Sequence, residues 1–152
     1  LDLLSGWFKE NVSEDWMTLR GRMMGILQEE AELDEIVKLV GMDALSRGDR
    51  LKMEVARSIR EDFLHQLAFH EVDTYTSLEK QLLMMRLILK FYDEACDVLS
   101  KNGDIELISR LAVREQIGRF KYVEEKDIRA EYEKVNAAIS EQMQTTIVKE
   151  EF

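Results

Sequence analysis

Residues 33–64 read LDEIVKLVGMDALSRGDRLKMEVARSIREDFL, and the ten in the middle, GMDALSRGDR at 41–50, decide how the two flanking segments are arranged. On the N-terminal side Leu19, Met23, Ile26, Leu27, Leu33, Ile36, Val37 and Val40 recur at three- and four-residue steps, the period of one helix face. On the C-terminal side Leu51, Val55, Ile59, Phe63 and Leu67 form an i, i+4 row. Lys52, Glu54, Arg57, Arg60 and Glu61 fall elsewhere and stay in water. Gly41 suits the end of the first helix, because glycine takes the left-handed conformation without a Cβ clash. Ser46 has the chemistry of an N-cap, and Asp49 sets a negative charge at the positive end of the next helix. The stretch predicts a helix–turn–helix corner, with the first helix over 14–40 and Ser13 as its cap.

Around this corner the chain offers little but helix. It has no proline and only seven glycines in 152 residues, against abundant Leu, Met, Glu, Lys, Arg and Ala. An apolar fraction of 45% is enough for a core. The predicted fold is an all-α bundle of about five helices in one domain, with no internal repeat and no Gly-, Pro- or Ser-rich linker. Residues 67–76 break the helical period and predict an irregular connection. Thr76 and Glu79 have capping-box spacing and open a core helix running to about Lys101. Its run LLMMRLILKFY at 82–92 is too short to span a bilayer and is interrupted by Arg86 and Lys90. Asn102 and Gly103 close it, and Asp104 caps a short helix through Leu111. VREQIGRF, at 113–120, predicts a further short helix. A last one over 124–148 carries Ile128, Tyr132, Val135 and Ile139 on one side.

Charge and motif content narrow the chemistry. The net charge of −10 repels phosphate backbones and anionic lipid, which argues against nucleic acid, membrane insertion and a DNA-reading role for the corner. Cys96 is the only cysteine, so no internal disulfide forms, and its helical setting predicts a small buried hydrophobe. The phosphate-cradling P-loop pattern, the Rossmann glycines, HExxH and a zinc-type cysteine pair are all absent. Asp62-Phe63-Leu64-His65 resembles half of a di-iron pair, but no second half exists. Glu29, Glu30, Glu32, Asp34 and Glu35 run around a helix rather than along one face, as a solvated surface does. From these patterns alone no catalytic constellation and no metal site is predicted within the chain.

Several separated stretches nevertheless resemble one family. GMDALSRGDRLKMEVARSIREDFLHQLAF (41–69), FHEVDTYTSLEKQLLMMRLILKFYDEA (69–95) and LAVREQIGRFKYV (111–123) are similar, in the same order, to the C-terminal helical domain of the catalytic A subunit of A-type/V-type rotary ATPases. The resemblance runs from about Trp7 to Val148. It implies a role in an ion-translocating (proton or sodium) ATP synthase or ATPase, coupling ATP synthesis or hydrolysis to rotation. Implied partners are the neighbouring A and B subunits and the central stalk. The implied place is the peripheral headpiece, on the cytoplasmic side of the membrane. In this family the corner meets the central stalk; the matching positions here are Asp43, Ala44, Leu45, Ser46, Arg47, Gly48, Asp49 and Arg50. The acidic run of the related F-type corner is not kept, so shape and helix stiffness are expected to matter more than single charges.

The resemblance also implies that Phe69 lies beside the adenine of bound nucleotide; by pattern alone Phe69 suits a buried core position equally well. ATP, ADP and Mg²⁺ belong to the full subunit, whose phosphate- and metal-binding residues this chain lacks. The chain is accordingly expected to be a piece of a longer protein and non-catalytic alone. The competing expectation is a free-standing acidic helical interaction module without nucleotide. LDLLSGWFKENVSEDW, at 1–16, separates the two: Leu3, Leu4, Trp7, Phe8 and Trp16 form either a cut interdomain surface or part of a closed core.

Overall fold

A computed structural model describes residues 2–64 and 78–147, with residues 2–14 described by their backbone alone. Among these residues there is no strand, only one isolated antiparallel bridge between Gly103 and Ile147. The predicted all-α bundle is what forms.

Helix α1 runs Asp2–Val40, beginning well before the predicted start at residue 14. No proline interrupts residues 2–13, and the single Gly6 costs the helix only about 1 kcal/mol, so Ser13 lies within α1 rather than capping it. Met23, Ile26 and Leu33 are buried, and Trp16, Leu19 and Leu27 pack half-buried against the core. Ile36 and Val40, expected on the same face, are exposed. The periodicity continues to the end of α1, but no described element covers that side of the last turn.

Helix α2, Arg47–Ser58, continues as a single π-turn over Ile59–Leu64. Leu51, Val55, Ile59 and Phe63 are all buried, each worth roughly 1.5–3 kcal/mol against water. Leu67, the irregular connection and Thr76 lie outside the described residues.

Helix α3, Leu78–Ser100, is the centre of the bundle and packs against α1, α2 and the last helix. It is apolar nearly all round, with Leu82, Leu83, Met84, Met85, Leu87, Ile88, Leu89 and Phe91 buried. Its cations reach outward along their aliphatic stems. Arg86 meets Asp15 at 2.8 Å and Lys90 donates to the Asn136 carbonyl at 2.9 Å. Lys80 is buried, and its ammonium donates to the carbonyls of Lys121 and Val123 at 2.7 and 2.6 Å. Cys96 departs from expectation. It is exposed, because it lies one position round the helix from buried Ala95 and two from buried Val98.

After α3, Asn102 takes the left-handed conformation with φ 68°. Asp104 then caps α4, Ile105–Ser109, accepting the Glu106 amide at 2.9 Å. Helix α5 spans Val113–Arg119, and two 3-10 turns lead to α6, Ile128–Gln144. Ile128, Val135 and Ile139 of α6 are buried and Tyr132 packs against the core, as predicted. The helix is shorter than the predicted 124–148. At its end the hydroxyls of Thr145 and Thr146 donate to the carbonyls of Gln142 and Met143. Ile147 leaves to pair with Gly103 instead.

Candidate functional site

The corner between α1 and α2 is built as its residues dictate. Gly41 takes φ 90° while its amide donates to the Val37 carbonyl at 2.8 Å, closing α1. A 3-10 turn, Met42–Ala44, carries the chain across, and the Leu45 amide returns to the Met42 carbonyl at 3.1 Å. Ser46 then caps α2: its hydroxyl accepts the Asp49 amide at 3.1 Å and its carbonyl accepts the Arg50 amide at 3.0 Å. The reversal is thus hydrogen-bonded throughout and stiff.

The predicted contact residues divide into three groups. Asp43, Ala44, Ser46, Arg47 and Gly48 are exposed, and Asp49 is half-exposed. Leu45 is buried and acts as a plug under the turn. Arg47, although exposed, and half-buried Arg50 also bond sideways across the fold. Arg47 donates to the Gly103 carbonyl at 3.2 Å, and Arg50 pairs with Glu106 at 2.7 Å, which fastens the corner to the start of α4.

What the sequence reading missed is apolar. Leu39, Val40 and Met42 are 83%, 65% and 45% exposed, with Ile36 also open, and they flank the turn. The signal was available: Ile36, Val37, Leu39 and Val40 crowd more of the last turn than one buried face needs. Phe69 lies outside the described residues, so no geometry joins it to the corner.

Elsewhere among the described residues several acidic side chains are taken up in ion pairs. Glu29 pairs with Lys52 at 3.1 Å, Glu30 with Arg60, and Asp34 with Lys38 at 3.1 Å. Although Cys96 is exposed as a residue, partial burial of its thiol pushes it up, only partly offset by its hydrogen bond with Tyr92, whose own hydroxyl is pushed well up by burial. Among the described residues no group of three or more His, Cys, Asp or Glu is placed to hold a metal ion. No helix among them is long and apolar enough to cross a membrane.

The class defined by these features is an all-helical domain with a hydrogen-bonded hairpin tip between α1 and α2. The chain belongs to the family of C-terminal domains of V and A type ATP synthases, whose model matches residues 5–108. It is 53% identical over 150 residues to a V-type ATP synthase alpha chain of Acetivibrio thermocellus, covering 99% of this chain and 26% of that protein. A V-type ATP synthase alpha chain of Clostridioides difficile is 54% identical over 143 residues, covering 94% of this chain and 24% of the relative. One from Clostridium botulinum (strain Okra / Type B1) is 56% identical over 128 residues, covering 84% and 22%. The chain therefore spans about a quarter of the length of the curated relatives that it matches.

Proposed function

We propose that this chain serves as the C-terminal helical domain of the catalytic subunit of an A/V-type rotary ATP synthase or ATPase, and that its corner at 41–50 transmits movement to the central stalk. The observation that carries the reading is the family match over residues 5–108 combined with near-complete coverage by alpha-chain relatives. The same coverage favours it over a free-standing module. In this reading the full subunit binds ATP or ADP and Mg²⁺ through residues outside the chain, and this domain is non-catalytic alone. Neighbouring A and B subunits complete a ring in a peripheral headpiece on the cytoplasmic side of the membrane, and Phe69 borders the adenine.

The corner's construction suits mechanical contact. Opening and closing of a nucleotide site moves such a domain as a hinged body, and Arg47, Arg50 and the Ser46 cap help to hold the tip in one shape. Exposed ion pairs contribute only ~0–1 kcal/mol each, so the charge of Asp43 or Asp49 is secondary to shape. The test mixes this chain with isolated central stalk. Binding is expected to survive Asp43→Asn and to weaken when the bulk of residues 43–50 is changed. Unchanged binding across drastic tip variants removes the tip from the interface.

A further inference from the structure

A second surface stands one helix length away, about 15 Å along α2 from the corner. It is an open cleft of about 510 Å³ between the end of α2 and the α4–α5 region. Five cations, Arg57, Arg110, Arg114, Arg119 and Lys121, line it against three carboxylates, Glu61, Asp62 and Glu115. On a chain of net charge −10 the lining residues carry more positive than negative charge, with Glu54 behind Arg57 and Arg114 and Glu106 beside Arg110 offsetting part of it. Most of the cleft also lies beyond residue 108, where the family match ends. We infer that this cleft docks an acidic polypeptide segment of a protein partner, and the inference does not rest on the stalk reading.

Its walls are pre-formed. Arg114 ties α5 to α2 through the Glu54 carboxylate at 2.8 Å and the Ser58 hydroxyl at 3.2 Å. Gly118 lets the two come close, since a Cβ there would stand 3.1 Å from Asp62 Oδ1. Arg114 is therefore occupied, and Arg57 pairs with the same Glu54 at 3.5 Å, whereas Arg110 and Arg119 on the rim keep most of their surface in water. The Arg110 side chain is 78% exposed and only 4.0 Å from its nearest carboxylate, that of Glu106. Lys121 gives its hydrogen bond to the Glu61 main-chain carbonyl at 3.3 Å and lies over the Tyr122 ring. Arg119 pairs with Glu115, yet its side chain is 74% exposed, and Tyr122 is 74% exposed beside it. Arg and Tyr are the residue types enriched where protein interfaces concentrate their binding energy.

The cations come from separate elements, namely the end of α2, the residue after α4, the end of α5 and the turn after it. A single phosphate needs donors that converge on one point. A peptide with spaced carboxylates matches cations set along two walls.

The test uses a fluorescently labelled short peptide of glutamate and alanine, with a lysine–alanine peptide as control, and reads anisotropy on the 152-residue chain at low salt. The glutamate peptide is expected to bind and the lysine peptide not. Affinity should fall roughly tenfold or more in Arg110→Glu/Arg119→Glu and in Tyr122→Ala, while Lys101→Glu/Lys126→Glu, with the same change of net charge, leaves it nearly unchanged. Circular dichroism confirms that each variant is folded. Any of three results overturns the inference: no binding of the glutamate peptide, equal loss in both double variants, or binding of tripolyphosphate in place of the peptide.

Discussion

Gly103→Ala should be among the most damaging methyl additions this fold can receive. A Cβ at Gly103 would lie 2.6 Å from the Val98 carbonyl oxygen, 2.8 Å from its carbon and 3.2 Å from the Leu99 nitrogen. All three are backbone atoms of α3 and cannot swing aside as a side chain would. The Gly103 amide also donates to that same Val98 oxygen at 2.6 Å, and Gly103 pairs with Ile147 while Asp104 donates to Thr146 at 3.0 Å. Relief of the clash must stretch one or more of these bonds. Overpacking costs about 1–3 kcal/mol and a weakened hydrogen bond about 0.5–1.5, so a loss of about 2–4 kcal/mol is expected. For a domain of this size that lowers Tm by roughly 5–15 °C. The internal control is Gly25→Ala. Gly25 lies in the interior of α1 with nothing within 4 Å of an added Cβ, so alanine there should stabilise by about 0.5–1 kcal/mol. Urea and thermal unfolding followed by circular dichroism measure both. A Gly103→Ala variant within about 0.5 kcal/mol of the parent, an ordinary surface-substitution effect, would refute the reasoning.

Two pH predictions follow from half-buried Asp62 and buried Lys80. Burial raises the Asp62 carboxyl above its ordinary range, against the pull of Lys121 and Arg114. The folded state then holds that proton more tightly, and this contribution to stability is lost as pH rises through the folded pKa. Asp62→Asn should be more stable than the parent at neutral pH, with the advantage disappearing below about pH 4, as urea melts at the two pH values will report. Lys80 shows the opposite case, its ammonium pushed down by burial against an opposing pull from Glu125. The unfolded chain binds that proton more tightly, so stability rises as pH climbs from the folded pKa towards the ordinary lysine value. Lys80→Met deprives the Lys121 and Val123 carbonyls of this donor and should cost about 1–3 kcal/mol, a deficit that grows as pH rises towards 10. A deficit that shrinks over that range would sink the argument.

Much of the corner was legible because its signals are local. Gly41 and Ser46 act through their own backbone and the next turn, and both behave as their residue types require. Asp104 does the same at α4. The charged members of the corner were harder to read. Arg47 and Arg50 turn towards Gly103 and Glu106, residues 56 positions away, and no local rule announces those partners. The exposure of Leu39 and Val40 was hidden for a related reason: a helix face stays periodic whether or not anything packs on it. Cys96 shows the limit within a turn, where a step of one residue separates a buried alanine from an exposed thiol.

The sequence by itself determined the all-helical class, the Ser46 and Asp104 caps and the reversal at 41–50, because hydrophobic period, glycine and capping side chains act over a few residues; it misplaced the start of α1 and the ends of α6. It also carried the family, through motifs kept in order along the chain. Tertiary structure alone decided which apolar residues at the end of α1 remain uncovered and where the corner's arginines are held. It alone assembled a cationic cleft on an acidic chain. Those outcomes depend on which helix lies over which, and that is set by long-range packing around α3 rather than by any neighbouring residue.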